Sequence, residues 1–422
     1  MIFHIDIDCF YAAAERIKNP HLNNIPIAVG GRSDLKLFEP TSSKINLIGT
    51  NRGAFVAPVF HRDETQTFNS MFKEEGKIRG VVVTSSYEAR KKGVKTGMSV
   101  KEALSYCPNL KIIPPDHLFY HELSHKLFLL LCNQMPKIEQ FSIDEFFCDI
   151  TGMEEVKNPE LFALHVKELI KEKLQLPVSI GICKAKWIAK LATNDAKPNG
   201  ILYIKEDKIL SYIDKKPVKN FPGIGKGYEK RLLQKGIFTL GDCAKSKHVF
   251  EQWKLPGQQL YKRIVGEDKE STEQKSQRKS VGISRTFDPI KEREELKRRI
   301  IILARHIAFM TFKLNVNPSS YYLKIRYEYR EKSIGRMTEH RLFSEKAIRE
   351  IMLKLFEKTD IYRNSGVIHI AISVGNFLEY SKKSVSLIDF DKEKEQQKLT
   401  DATQKIRAKY GLCAIRSAIE LS

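Results

Sequence analysis

No C-x-x-C pair occurs in this sequence, and its seven cysteines (Cys9, Cys107, Cys132, Cys148, Cys183, Cys243, Cys413) are odd in number and far apart. That spacing excludes a disulfide framework and a zinc finger and fits a reducing compartment. Long apolar runs are missing as well. "RRIIILARHIAFM" is too short to cross a bilayer and carries Arg305 and His306, and Asp6 and Asp8 interrupt the first apolar run, so neither a membrane span nor a signal peptide is expected. The expectation is a cytoplasmic protein with no membrane partner. Internal repeats and low-complexity arrays are absent. Acid is in deficit: 51 Asp and Glu face 72 Lys and Arg, a formal +21 that favours a polyanionic partner such as nucleic acid.

What is present is enough for several cores. The 422 residues are 42% apolar, which fits about two to four domains. Residues 1–10 alternate like a strand, and "YAAAERIKNP" reads as a helix that Pro20 ends. Residues 31–80 are rich in Gly, Ser, Asn and Thr clusters and give no assignment. "GVVVTSSYEARKKGVKTGM" is a strand running into a short helix, and "DHLFYHELSHKLFLLLCNQM" is a long amphipathic helix. Two strands follow in "KIEQFSIDEFFCDITG", then a helix, the strand "PVSIGIC", and a helix, turn and strand in "KWIAKLATNDAKPNGILYI". That order is a ferredoxin-like sheet with a subdomain inserted after its first strand. From about residue 206 the pattern is helical and basic, "GEDKESTEQKSQRK" reads as a linker, and a helix with the strands "SYYLKIRYEYR" and "GVIHIAISVGNF" forms a separate α+β domain. The tail after Ser381 is polar and helix-favouring.

In a strand Asp6 and Asp8 share one face. Downstream, "SIDEFF" sets Asp144 beside Glu145, and adjacent strand residues reach one site only near a hairpin turn or bend. Three acids from two strands make a cage for two Mg²⁺, a hard cation that takes carboxylates together with phosphate oxygens. Tyr87 and Arg90, three apart in "SSYEARKKG", and Lys197 in "DAKPNG" offer a phenol, a guanidinium fork and an ammonium suited to a triphosphate. Between Pro222 and Lys235, "PGIG" before a lysine-rich helix has the form of a helix-hairpin-helix, in which Gly223 and Gly225 let backbone N–H groups near Lys226 approach a DNA phosphate. A second short instance is expected at "LPGQQLYKRI". "HELSH" (His121 to His125) matches the zinc-protease helix, but nothing continues that motif, and it reads as the polar face of an amphipathic helix. In "SYYLKIRYEYR" Leu323, Ile325, Tyr327 and Tyr329 form a packing face, and Lys324, Arg326, Glu328 and Arg330 a mostly basic one that suits a DNA backbone.

Taken in order, "FHIDIDCFYA", "SSYEARKKGVKTGM", "FSIDEFFCDITG", "GICKAKWIAKLATNDAKPNG" and "PGIGKGYEKRLLQKGI" resemble the Y-family translesion DNA polymerases of the DinB/UmuC type. The resemblance implies an α+β architecture with a palm (1–10 and 116–205), fingers (11–115, with an unusual insertion at about 31–80) and a helical thumb (206–268). A linker (269–279), a little finger (280–380) and a tail (381–422) follow. It implies Asp6, Asp144 and Glu145 as metal-binding and catalytic carboxylates, the Ile7 carbonyl as a further ligand, and Asp8 as an acid that is not a direct ligand. Tyr11, with Phe10 beside it, is similar to the aromatic gate that rejects a ribose 2′-hydroxyl, and Tyr87, Arg90 and Lys197 match the triphosphate contacts. Ala185 departs from the asparagine-lysine common at that motif. "SVSLIDF" (Ser384 to Phe390) resembles a degenerate sliding-clamp peptide. The activity implied is low-fidelity, damage-tolerant, SOS-type synthesis by a monomer on primer-template DNA with dNTP and two Mg²⁺. The alternatives are a UmuC-like subunit that needs accessory proteins and a catalytically dead DNA-binding scaffold.

Overall fold

The computed structural model describes residues 1–32, 36–38, 67–74, 76–272, 278–378 and 390–420. The described residues divide into two compact units: 1–30, 67–74 and 76–272 in one, and 31–32, 36–38, 278–378 and 390–420 in the other.

The first unit holds ten strands: β1 (Ile2–Ile7), β2 (Ile27–Gly31), β3 (Lys73–Glu74), β4 (Lys77–Ile78), β5 (Val81–Ser85), β6 (Lys111–Ile113), β7 (Lys137–Gln140), β8 (Glu145–Asp149), β9 (Val178–Cys183) and β10 (Ile201–Tyr203). The main sheet runs β10-β9-β1-β8-β7. The helix His117–Cys132 leads into β7, and the helix Pro159–Leu174 lies between β8 and β9. With β10 set aside, the order is that of a ferredoxin-like sheet, and residues 8–116 enter between its first strand and first helix. All six residues of β1 are buried because both faces are covered. Phe3, Ile5 and Ile7 cluster with Leu127, Val166 and Ile170 of those two helices, while Ile2 and Phe147 cluster with Trp187 and Ile188 of the helix Lys186–Ala196 on the other face.

That last helix sits directly on β9. A Cβ at Gly181 would lie 2.0 Å from the Ala189 carbonyl oxygen, so only glycine permits the approach. Gly181 pairs with His4 across the sheet, and Thr193 of the helix meets His4 Nδ1 at 2.9 Å. The inserted segment forms a small sheet, β5-β2-β6, around a core of Ala28, Val82, Val94, Val100 and Leu110. From Ile209 onward short helices dominate, ending in Lys254–Val265. "LPGQQLYKRI" is corrected here: it is the body of that helix and no hairpin. Pro256 falls in the first turn, where its missing N–H is no loss, and Gly257 packs against the Phe250 carbonyl oxygen, 2.1 Å from where a Cβ would stand.

The second unit is a four-stranded antiparallel sheet, β11 (Ser280–Ile290), β12 (Asn317–Tyr327), β13 (Lys332–Thr338) and β14 (Val367–Leu378), ordered β11-β14-β12-β13. The helices Arg293–Leu314 and Glu345–Thr359 share its core. One expectation needs correction. Tyr329 does not pack: β12 ends at Tyr327, the chain turns through Arg330 at φ 73°, and Tyr329 is 72% exposed. The polar, helix-favouring tail forms the helix Phe390–Tyr410, which buries Thr400, Gln404 and Arg407, with Arg407 and Gln404 on Glu345. Beyond it Glu420 pairs with the buried Arg305 at 3.0 Å.

The 31–80 stretch, expected in the fingers, is divided. Phe68–Phe72 and β3 to β4 stay with the first unit, but Leu37 and Phe38 are 5% exposed within the core of the second. There Phe38 meets Phe287 edge-on at 6.3 Å, Arg299 lies over its ring at 4.5 Å, and its carbonyl accepts from Arg298. Residues 39–66 lie outside the described residues.

Candidate active site

Asp6, the last residue but one of β1, stands opposite Glu145, the first residue of β8. Asp144 occupies the bend just before that strand, and its carbonyl accepts from the Ile7 amide at 3.0 Å. The bend lets neighbouring acids turn to the same side, because Asp144 is free of strand alternation and its carboxylate bonds the Ser142 hydroxyl. Asp6 is 5% exposed. Burial pushes its carboxyl up to about 7, with Asp144 and Glu145 adding to the rise and Lys197 opposing it. Burial likewise raises Asp144.

Lysines already hold two of these acids. Lys197 Nζ lies 2.7 Å from Asp6 Oδ2, and Lys190 is ion-paired with Glu145 Oε1. Among the described residues no three His, Cys, Asp or Glu converge closely enough to grip a metal. The donor set nevertheless suits a hard divalent cation, being three partly buried carboxylates with compensating cations beside them; each lysine holds one oxygen of its carboxylate, Oδ2 of Asp6 and Oε1 of Glu145.

Asp8 has a different task. It is 2% exposed and accepts from Tyr87 Oη at 3.2 Å, Ser179 Oγ at 2.9 Å and the Asn199 amide at 2.6 Å. One carboxylate thus joins β1 to the inserted segment, to β9 and to the Pro-Asn-Gly turn. Tyr87 is engaged with Asp8, and Arg90 lies over the Tyr87 ring at 5.0 Å with its Nε on the Ser85 carbonyl. A cleft of about 440 Å³ opens beside them, lined by Asp8, Cys9, Arg16, Tyr87, Pro198 and Asn199.

Cys9 adopts φ 48° and begins the helix Phe10–Lys18, so Phe10 and Tyr11 follow Asp6 and Asp8 within one tight turn. Phe10 is buried. The Tyr11 ring stacks on Tyr120 at 4.3 Å and 16°, and His117 meets it edge-on at 5.8 Å. Tyr120 Oη donates to Glu15 Oε1 at 2.5 Å, one helical turn beyond Tyr11. Burial lifts the Tyr11 phenol to about 12 and lowers His117 to about 4, so both are neutral near pH 7.

The helix-hairpin-helix residues form a turn and helix start. Gly223 takes φ +99°, a conformation side chains resist, and Gly225 caps the helix Lys226–Leu233 with nothing within 4 Å of where a Cβ would be. In the second unit, Leu323, Ile325 and Tyr327 are buried, Lys324 is half-buried and Arg326 exposed. "HELSH" lies on the helix His117–Cys132, where Leu123, Ser124 and Leu127 are buried, and no metal cluster forms among the described residues.

Sequence reasoning missed Lys190, Tyr120, Ser179 and Asn199. A signal for Lys190 existed: it precedes Lys197 by seven residues, two helical turns on one face.

Comparison with known proteins places these features. The impB/mucB/samB family model matches residues 5–194, and the model of that family's C-terminal domain matches residues 278–403. The chain is 32% identical over 289 residues to "DNA polymerase IV" of Photorhabdus laumondii, covering 68% of this chain and 70% of that protein. Over 322 residues it is 31% identical to the protein of the same name from Pasteurella multocida, covering 75% and 77%. Among solved structures, a Y-family DNA polymerase chimera of Dbh and Dpo4 superposes with a TM-score of 0.70 at 23% identity, covering 89% of this chain and 99% of that one. DinB from Sulfolobus solfataricus gives a TM-score of 0.54 at 22% identity, covering 89% and 98%. These likenesses carry the fold, and the sequence relationships carry the membership: the chain belongs to the impB/mucB/samB family, the Y-family DNA polymerases of the DinB type.

Proposed function

We propose that this chain performs template-directed nucleotidyl transfer from a dNTP to a primer 3′-hydroxyl, in translesion synthesis, at the site around Asp6. The observation that supports it most is the pairing of Asp6 with Glu145 across adjacent strands, with Asp144 in the bend beside them, in a member of a DNA polymerase family.

Asp6, Asp144 and Glu145 would hold divalent cations, two Mg²⁺ ions in this reading, with the Ile7 carbonyl as a further ligand. Bound there, the ions would supply Lewis-acid stabilisation of the attacking and leaving oxygens. The residues of the chain do the rest. Lys197, beside Asp6, and Arg90 with Tyr87 bind the triphosphate, which fixes the α-phosphate for in-line attack. Tyr11, braced on Tyr120, lies against the sugar and excludes a 2′-hydroxyl, with Phe10 behind it. Gly223, Gly225 and Lys226 take a DNA phosphate at a helix start, and Lys324 and Arg326 follow the backbone.

The protein acts as a monomer in the cytoplasm, and the clamp peptide contributes processivity. Ser384 to Asp389 of that peptide lie outside the described residues, and Phe390 opens the last long helix. No described helix is long and apolar enough to cross a membrane.

Primer extension with Mg²⁺ and dNTPs, on undamaged and lesion-bearing templates, tests the reading. Wild type extends and Asp144→Ala does not. A protein that binds primer-template yet never extends it, even with clamp and accessory factors, is a scaffold. Extension only with accessory factors identifies the UmuC-like alternative.

A further inference from the structure

Three lysines on the helix Lys186–Ala196 and its capping residue face three acids of the main sheet: Lys186 on Glu139, Lys190 on Glu145 and Lys197 on Asp6. The first pair lies at β7, outside the three-acid cluster, where Lys186 also donates to the Ser271 carbonyl at 3.1 Å. The other two pairs lie within it. Three carboxylates gathered in a poorly solvated place repel one another and require cations nearby; Lys190 and Lys197 are those cations.

Lys190 is the more committed of the two. Its side chain is 12% exposed and its ammonium lies 4.9 Å from the centre of the Phe141 ring. Among the described residues it is the one side chain that donates to Glu145. His4 Nε2 stands 3.9 Å from the same oxygen but has no hydrogen-bond partner. The Thr193 hydroxyl is within 3.0 Å of the His4 and Ala189 carbonyls. With its single hydrogen on a carbonyl, it receives the proton of His4 Nδ1, and Nε2 is left bare. Lys197 is different in kind, since the triphosphate gives it a second partner.

We infer that Lys190 is a cation surrogate of the metal-free enzyme: its ammonium holds and compensates Glu145 until divalent cations take that carboxylate. This rests on the metal site proposed above. The consequence follows from a thermodynamic cycle, because an interaction present only in the free state opposes binding, and removing it strengthens binding. A lysine that stayed on Glu145 and merely aimed it would behave in the opposite way, its removal weakening the ion's hold.

The test is Mn²⁺ binding to the full-length protein without DNA or nucleotide, followed by the electron paramagnetic resonance of free Mn²⁺, with melting temperature in EDTA as a check of folding. Lys190→Met should bind Mn²⁺ about two- to fivefold more tightly than wild type, the size of a partly exposed ion-pair contribution. Ca²⁺ should raise its melting temperature by more than it raises that of wild type. Lys190→Arg should match wild type, and Lys186→Met should melt lower without a change in Mn²⁺ affinity. Equal or weaker binding by folded Lys190→Met overturns the inference and leaves the metal site standing. Wild type showing no Mn²⁺ binding that Asp144→Ala abolishes overturns both.

Discussion

Gly181→Ala adds one methyl group where the structure has room for none. The new carbon would fall 2.0 Å from the Ala189 carbonyl oxygen and 2.4 Å from the Thr193 amide nitrogen, whereas real Cβ atoms keep at least 3.0 Å from their neighbours. Both obstacles are backbone, so no side-chain rotation relieves them, and the helix Lys186–Ala196 must withdraw from β9 by about 1 Å. Overpacking of this kind costs about 1–3 kcal/mol, and a rigid helix as the obstacle puts this case at the upper end. The same helix carries Lys190, and Lys197 caps it. A displacement of about 1 Å in catalytic parts typically slows turnover about 100-fold. Two measurements follow: urea unfolding by circular dichroism, with a midpoint lower by roughly 1 M, and single-turnover extension slowed about 100-fold with primer-template affinity unchanged. A variant with the wild-type midpoint and rate would refute the close seating of this helix on the strand.

Asp8→Ala strands three donors, from Tyr87, Ser179 and Asn199, and should lose about 3 kcal/mol in denaturant unfolding; a loss below about 1 kcal/mol would deny Asp8 its joining role. Tyr11→Ala should raise ribonucleotide incorporation, scored as the ratio of kcat/KM for dNTP and rNTP; an unchanged ratio removes the gate. Asp268 is raised to about 6, by burial first and the nearby Glu270 second, and neither of its oxygens meets a donor among the described residues. The unfolded chain releases this proton at the ordinary value of 3.8, so the folded state binds more protons between about pH 4 and 6 and loses stability as pH rises through that window. Asp268→Asn removes the loss: its melting temperature should equal that of wild type near pH 4 and exceed it at pH 7 to 8, and parallel curves would contradict the assignment.

The main sheet was legible because each of its segments announces itself by period and length, and the ferredoxin-like order follows from strand, insertion, helix, two strands, helix, strand. Asp6, Asp144 and Glu145 were legible because charge inside an apolar strand demands a reason. Their present partners were not. A helical lysine reads as solvated until the helix is seen to lie on Gly181, and nothing in the local pattern says which face that is. Tyr120 was hidden by an apolar helix in which one more aromatic carries no mark. Asp8 looked like a spare acid because its donors come from residues 87, 179 and 199, which only the fold brings together. "LPGQQLYKRI" misled because proline and glycine mark turns in most contexts, yet proline in a first helical turn breaks nothing.

Leu37 and Phe38 have an implication for anyone who would cut or exchange the domains of this chain. The segment at 269–279 looks like a natural seam, but the body beyond it is not continuous in sequence: two of its core side chains come from residues about 240 positions earlier. A fragment starting at residue 277 would begin with an apolar hollow open to water over Phe287 and Arg299. Phe287, Arg298 and Arg299 thus depend for their packing on two residues from the far end of the polypeptide.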